Sequence, residues 1–112
     1  MAKYSKSQLA LLNDNPLYHA MGIRLLRIEN GEARSELRPT PALCWPFEGQ
    51  PHGGVLFTQM DTTMATAVMT ASTQRADNCA TINLDIQYTR PARGAFFICR
   101  SEQPRAGTDG RP

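Results

Sequence analysis

Charged and aromatic side chains are sparse in this chain of 112 residues, and it has only three cysteines. Charged side chains make up 20%, aromatic ones 7%, and the net charge is only +2. No basic block occurs, and lysines and arginines do not interleave with aromatics, so nucleic-acid binding is not expected. Cys44, Cys79 and Cys99 form an odd set without CxxC spacing. That speaks against a disulfide framework or a zinc site and suits a reducing cytoplasm. The N-terminal stretch MAKYSKSQLALLNDNP holds an apolar run of only four residues, too little for a signal peptide. The weakly charged stretch 53–74 contains Asp61, two glutamines and many threonines. It reads as a buried helix and not as a membrane span.

What the chain does have is one domain's worth of apolar residues, 41% of the total. A domain of this size buries roughly two-thirds of its unfolded surface, so its own core is modest and self-association would help it. Ser7 to Leu12 suits a short helix, stopped by Asn13-Asp14-Asn15-Pro16, and Leu17 to Met21 suits a further turn before Gly22. Residues 23–29 and 32–37 flank Asn30-Gly31, the strongest short hairpin signal, because both turn positions need positive φ. Residues 38–51 hold four prolines and a glycine and read as a loop held down by Trp45 and Phe47.

The spacing of Leu56, Met60, Met64, Ala67, Val68 and Ala71 predicts a long helix from Gly54 to about Thr73. Its many threonines are not strong helix formers, so packing must hold it. Thr81 to Thr89 alternates apolar and polar without a break, a half-buried strand. A turn at 90–94 and a strand from Ala95 to Arg100 follow. The expected organisation is one domain, 1–100, opening with a helical segment, 1–22, and followed by an irregular polar tail, 101–112. Hairpin, helix, strand, strand gives an α+β fold in which an antiparallel sheet wraps one long central helix.

Between His52 and Arg75 the sole ionisable side chain is Asp61. A carboxylate in such apolar company must be paired, hydrogen-bonded, protonated or facing a cleft. At the start of the same helix, Gly53 and Gly54 offer backbone N–H groups and close approach for a developing negative charge. Such amides can serve as an oxyanion hole in acyl transfer. Gly53 and Asp61 are eight residues apart, about 12 Å along a helix. One carbonyl cannot lie within about 3 Å of both on a single chain. If both act on one ester, the carboxylate must come from a second copy, across antiparallel helices of a dimer.

The segments HGGVLFTQMDTTMATAV and ATINLDIQYTRPARG resemble the hotdog-fold acyl-CoA thioesterases, specifically the phenylacetic-acid-degradation (PaaI-like) group. The matching residues are His52-Gly53-Gly54, Asp61 eight positions after the first glycine, and Tyr88-Thr89-Arg90-Pro91-Ala92-Arg93-Gly94. The resemblance covers about residues 16–100. It implies hydrolysis of an acyl-CoA carrying a small aromatic or medium-chain acyl group. Asp61 would be nucleophile or general base. The Gly53 N–H, with that of Gly54, would polarise the thioester carbonyl, and His52 would mainly position the loop. Arg90, Arg93 and Gly94 resemble positions near the coenzyme A phosphates. No metal and no cofactor is implied, since coenzyme A enters with the substrate. A dimer or tetramer is implied, with no nucleic-acid or membrane partner.

Two departures stand out. Six residues before the histidine, where the family often has Asn or Gln, this chain has Pro46, leaving Gln50 or Glu48 to stand in. The fold also has two final strands that Ser101 to Pro112 does not resemble, so a hotdog domain lacking its last strands, with an open sheet edge, is expected. These features make a non-catalytic acyl-CoA-binding or decayed hotdog module the alternative. A hotdog dehydratase fits less well, because His19 and His52 do not show its catalytic pattern. A Cys44–His52 thiol nucleophile is weaker again, with no third group evident.

Overall fold

Asn30 and Gly31 both adopt positive φ, 48° and 81°, and turn β1 (Ile23–Glu29) back onto β2 (Glu32–Leu37). The structure, a computed structural model, describes residues 3–46, 49–70 and 93–102. Two short helices precede the hairpin. The first, α1 (Lys6–Asn13), starts at a capping box between Ser5 and Gln8. The second, α2 (Pro16–Met21), starts at Asn15 with proline in its first turn and ends at Gly22. Gly22 sits at φ 81°, and a Cβ there would stand 2.0 Å from the Arg38 carbonyl oxygen. Glycine is therefore required where the helix hands over to β1.

The third strand, β3 (Phe97–Glu102), runs antiparallel to β2, giving the order β1-β2-β3. It starts two residues later than the sequence suggests and runs through Ser101 and Glu102, which pair with Ala33 and Glu32. The expected strand 81–89 and most of the following turn lie outside the described residues. Across the inner face of the sheet lies the long helix, α3 (Gly53–Met69). The expected residues 71–73 of this helix also lie outside the described part.

The face that α3 turns to the sheet differs from the one its apolar spacing suggests. Val55, Gln59, Thr63, Thr66 and Ala67 are buried, whereas Leu56, Met60 and Met64 are only half-buried and Val68 is exposed. The reason is on β2. Ser35 points inward and is fully buried. Its hydroxyl lies 2.6 Å from the Thr63 hydroxyl, and Gln59 Nε2 donates to it at 3.2 Å. Gln59 Nε2 also donates to the Phe97 carbonyl at 3.1 Å, and the Thr63 hydroxyl reaches the Gln59 carbonyl at 2.6 Å. The helix thus meets the sheet along a polar seam whose groups satisfy one another. Apolar clusters stand on either side: Leu25, Ile28, Ala33 and Ala67 on one, Ile23, Leu37 and Val55 on the other.

Thr63→Val keeps the shape and removes the hydroxyl that Ser35 bonds, so a loss of about 1–3 kcal/mol is expected in urea denaturation. Ser35→Ala combined with Thr63→Val should lose less than the sum of the two single changes, because both remove the same bond.

Candidate active site

The loop before α3 is folded back on itself. Cys44 and Pro51 form an isolated antiparallel bridge. Trp45 N–H donates to the Gln50 carbonyl at 2.9 Å, and His52 N–H to the Leu43 carbonyl at 2.9 Å. Gly49, at φ 73°, accepts a bond from Gly94 N–H at 2.8 Å. That bond ties the loop to the segment entering β3. Between the two lies a cleft of about 700 Å³, lined by Cys44, Trp45, Gly49, Gly94 and prolines 39, 41 and 46.

His52 caps α3. Its Nδ1 accepts from Gly54 N–H at 2.9 Å, and its carbonyl accepts from Val55 N–H at 2.9 Å. An accepting Nδ1 leaves the ring proton of neutral imidazole on Nε2. Trp45 stacks beside the same ring, centroids 4.8 Å apart and planes tilted by 31°. The Gly54 amide is thus engaged by the cap. Cys44 is directed elsewhere: its thiol donates to the Thr40 carbonyl at 3.7 Å. Among the described residues no hydrogen bond joins Cys44 to His52. Burial pushes the Cys99 thiol up, with a Thr63 hydrogen bond acting against it, which leaves it a poor nucleophile.

Asp61 lies two turns along α3 and is half-buried. It stands two residues from Gln59 and two from Thr63, so at about 100° per residue it points away from the seam and the sheet. Phe57, Met64 and Val68 share that side, with Phe57 38% and Val68 37% exposed. The structure therefore gathers Gln50, His52, Gly53, Gly54 and, through Gly49, Gly94 at one end of α3. Exposed Arg93 adjoins Gly94. Asp61 is not among them, and Arg90 and Tyr88 lie outside the described residues. The Trp45–His52 contact and the Gly49–Gly94 bond are new; no local spacing in the sequence signals either. Among the described residues no cluster of His, Cys, Asp and Glu could hold a metal ion. None of their helices is long and apolar enough to cross a membrane.

Residues 49–107, which begin in this loop and include all of α3 and β3, match the model of the Thioesterase superfamily. The chain belongs to this superfamily. One curated relative, from Halobacterium salinarum and provisionally named esterase VNG_1336C, is 36% identical over 86 residues. The match takes in 74% of this chain but only 57% of the relative's length. The solved structure of the conserved protein PA5202 from Pseudomonas aeruginosa superposes with a TM-score of 0.72 at 24% identity. It covers 94% of this chain and 79% of that one. The fold is a hotdog, with α3 as its central helix.

His52→Ala removes the cap and is expected to cost about 0.5–2 kcal/mol, whereas His52→Asn, itself a good cap, should recover most of it. Hydrogen exchange at the Gly54 amide should quicken in His52→Ala and remain slow in His52→Asn.

Proposed function

We propose that the chain hydrolyses acyl-CoA thioesters of the kind handled by the PaaI-like group, with a small aromatic or medium-chain acyl moiety. The observation that carries this reading is the position of Asp61: on the side of α3 away from the sheet, eight residues beyond Gly53. The two groups are about 12 Å apart along the helix axis, so one carbonyl is served by Gly53 of one subunit and Asp61 of another. Antiparallel pairing of two α3 helices achieves this when their two-fold axis passes beside residue 57, midway between 53 and 61. Phe57 is the exposed ring at that midpoint. The apolar stripe Phe57, Met64 and Val68 then finds its cover in the second copy.

In this arrangement the Gly53 N–H polarises the thioester carbonyl and holds the oxyanion of the tetrahedral intermediate. Asp61 attacks the carbonyl carbon, or takes a proton from the water that does. The C–S bond breaks and coenzyme A leaves as thiolate and is protonated; the general-base route leaves the free acid directly, whereas the nucleophilic route leaves a mixed anhydride on Asp61, which water hydrolyses to the free acid and the regenerated carboxylate. Gly54 and His52 keep the helix start in shape through the cap. Gln50 stands at the loop where the family's polar side chain is missing at Pro46. Arg90, Arg93 and Gly94 are the positions for the coenzyme A phosphates.

Asp61→Asn should abolish thiol release from a panel of acyl-CoAs. Undiminished release would overturn the assignment, and binding without turnover in the unaltered protein would favour the non-catalytic alternative. Gly53→Pro removes the amide donor at a helix position where proline fits. His52, at φ −61° and ψ 143°, already has the backbone of a residue preceding proline. Each variant alone should be inactive. Mixing them should restore about a quarter of the activity, because half of randomly paired dimers carry one intact site of two. No restoration would place both groups within one subunit. Separately, Phe57→Cys should form an intermolecular disulfide on oxidation, since helix axes about 8–10 Å apart bring facing residues within disulfide reach.

A further inference from the structure

A groove of about 470 Å³ runs between α1 and β1, lined by Lys6, Leu9 and Ala10 on the helix and by Arg24 and Leu26 on the strand. Two ties fix the spacing of its walls. At one end the Asn13 side chain donates to the Leu25 carbonyl at 3.0 Å and accepts from the Leu25 N–H at 2.7 Å. At the other, the Tyr4 N–H donates to the Ile28 carbonyl at 2.9 Å. The helix therefore runs antiparallel to β1. Between the ties, the register of β1 on β2 steps from Leu25 opposite Ser35 to Arg27 opposite Arg34, which leaves Leu26 as a bulge. The groove is thus held before and after the bulge.

Its walls are apolar and its mouth is cationic. Leu9 and Leu26 are half-buried, whereas Lys6 and Arg24 are exposed. Neither cation makes an ion pair among the described residues. Acids close by in chain or register are engaged elsewhere. Glu29 is held by Arg27 at 2.8 Å, and Glu36, opposite Arg24, by Arg38 at 3.1 Å. Asp14 lies 3.6 Å from His19. Lys6 occupies the first position of α1, where the helix dipole disfavours a cation, and no acidic side chain stands in that turn to offset it. Its charge costs the helix something and is open to a ligand. Lys6 and Asn13 are about 10 Å apart along α1, and Arg24 adjoins the Leu25 that Asn13 holds. The two cations thus flank the groove from opposite ends, and their long side chains can close on one headgroup between them.

We propose that this groove binds a medium-chain aliphatic carboxylate, its chain laid on Leu9 and Leu26 and its headgroup clamped between Lys6 and Arg24. A small anion without a chain forgoes the apolar walls, and a neutral chain forgoes the charge-assisted hydrogen bonds. The site uses no residue of the candidate active site, and its test needs no acyl-CoA, so it stands or falls apart from the proposed hydrolysis. The probe is octanoate, added below its micellar concentration to the whole chain and followed by nitrogen–proton correlation spectra. Saturable shifts are expected at Lys6 to Ala10 and at Arg24 to Arg27. Octanol and acetate, which each supply half of the chemistry, should bind at least about tenfold more weakly. Lys6→Gln and Arg24→Gln should each weaken octanoate about tenfold. Ala10→Trp fills the groove from an exposed helix position and should abolish binding. Lys6→Glu separates binding from folding: it should raise the thermal midpoint, because an acid suits the start of a helix, and yet weaken octanoate more than Lys6→Gln. Shifts centred on Phe57 or spread over the whole chain would overturn the proposal. So would octanol binding as tightly as octanoate, or indifference to the cation changes and to Ala10→Trp. Unchanged signals from Gly31 and Gly54 in each variant report that the fold is intact.

Discussion

The rotation of α3 about its own axis decides what every other part of this molecule can do, and the polar seam sets that rotation. Apolar contacts alone leave a helix free to roll a little on a sheet, because they are not directional. The bonds among Ser35, Gln59 and Thr63 are directional, and they lie where nothing else can satisfy those groups. Rolling the helix would leave a buried hydroxyl or amide without a partner, which is costly. The reach of Gln59 to the Phe97 carbonyl adds β3 to the same constraint. Held this way, α3 turns Asp61 away from the sheet, and with it Phe57 and Val68.

The start of α3 is fixed by different means. Its Gly54 amide is held by one imidazole, which is itself flanked by the Trp45 ring. The loop that delivers His52 is closed by the Cys44–Pro51 bridge and pinned to Gly94 through Gly49. Glycine at 49 is needed for positive φ. A change at Trp45 therefore reaches the helix start through the histidine it stacks on. The cap is local and the seam is long-range, so the two constraints on α3 act independently.

Much of the frame was legible in the sequence because its signals are local. Asn30-Gly31 specifies the hairpin through the φ each residue tolerates, and Gly22 marks the end of α2, whereas Asn15-Pro16, expected only to stop the first helix, caps the start of α2. The existence of α3 was readable from its periodicity, but its buried face was not. Of the residues at apolar spacing, Ala67 is buried while Leu56, Met60 and Met64 are half-buried, because the sheet presents Ser35, and a serine inside selects Gln59 and Thr63 as neighbours. A residue on β2 thus decides which face of a helix 24 residues later is buried, and periodicity within the helix cannot carry that information. The site divides in the same way. His52, Gly53 and Gly54 are contiguous and stood out, while Trp45 over His52 and Gly49 against Gly94 are contacts between separate segments.

The seam also accounts for the apolar outer side of α3. A helix whose sheet-facing positions include Gln59, Thr63 and Thr66 must place its remaining bulky side chains elsewhere. Phe57, Met64 and Val68 are therefore turned outward as a consequence of how the helix is held, and the lone carboxylate falls among them. Leaving that stripe in water forgoes about 25 cal/mol for each Å² of apolar surface. A small domain with a modest core has few other sources of stability. The same bonds that fix α3 on its own sheet thus create the apolar surface that the proposed α3 pairing would cover. Because Gly53, Phe57 and Asp61 are spaced evenly at four residues, a two-fold contact centred on Phe57 brings each glycine opposite the other chain's aspartate. In the proposed dimer, intrachain polar bonding, outward apolar surface and a shared catalytic pair follow from one another in that order.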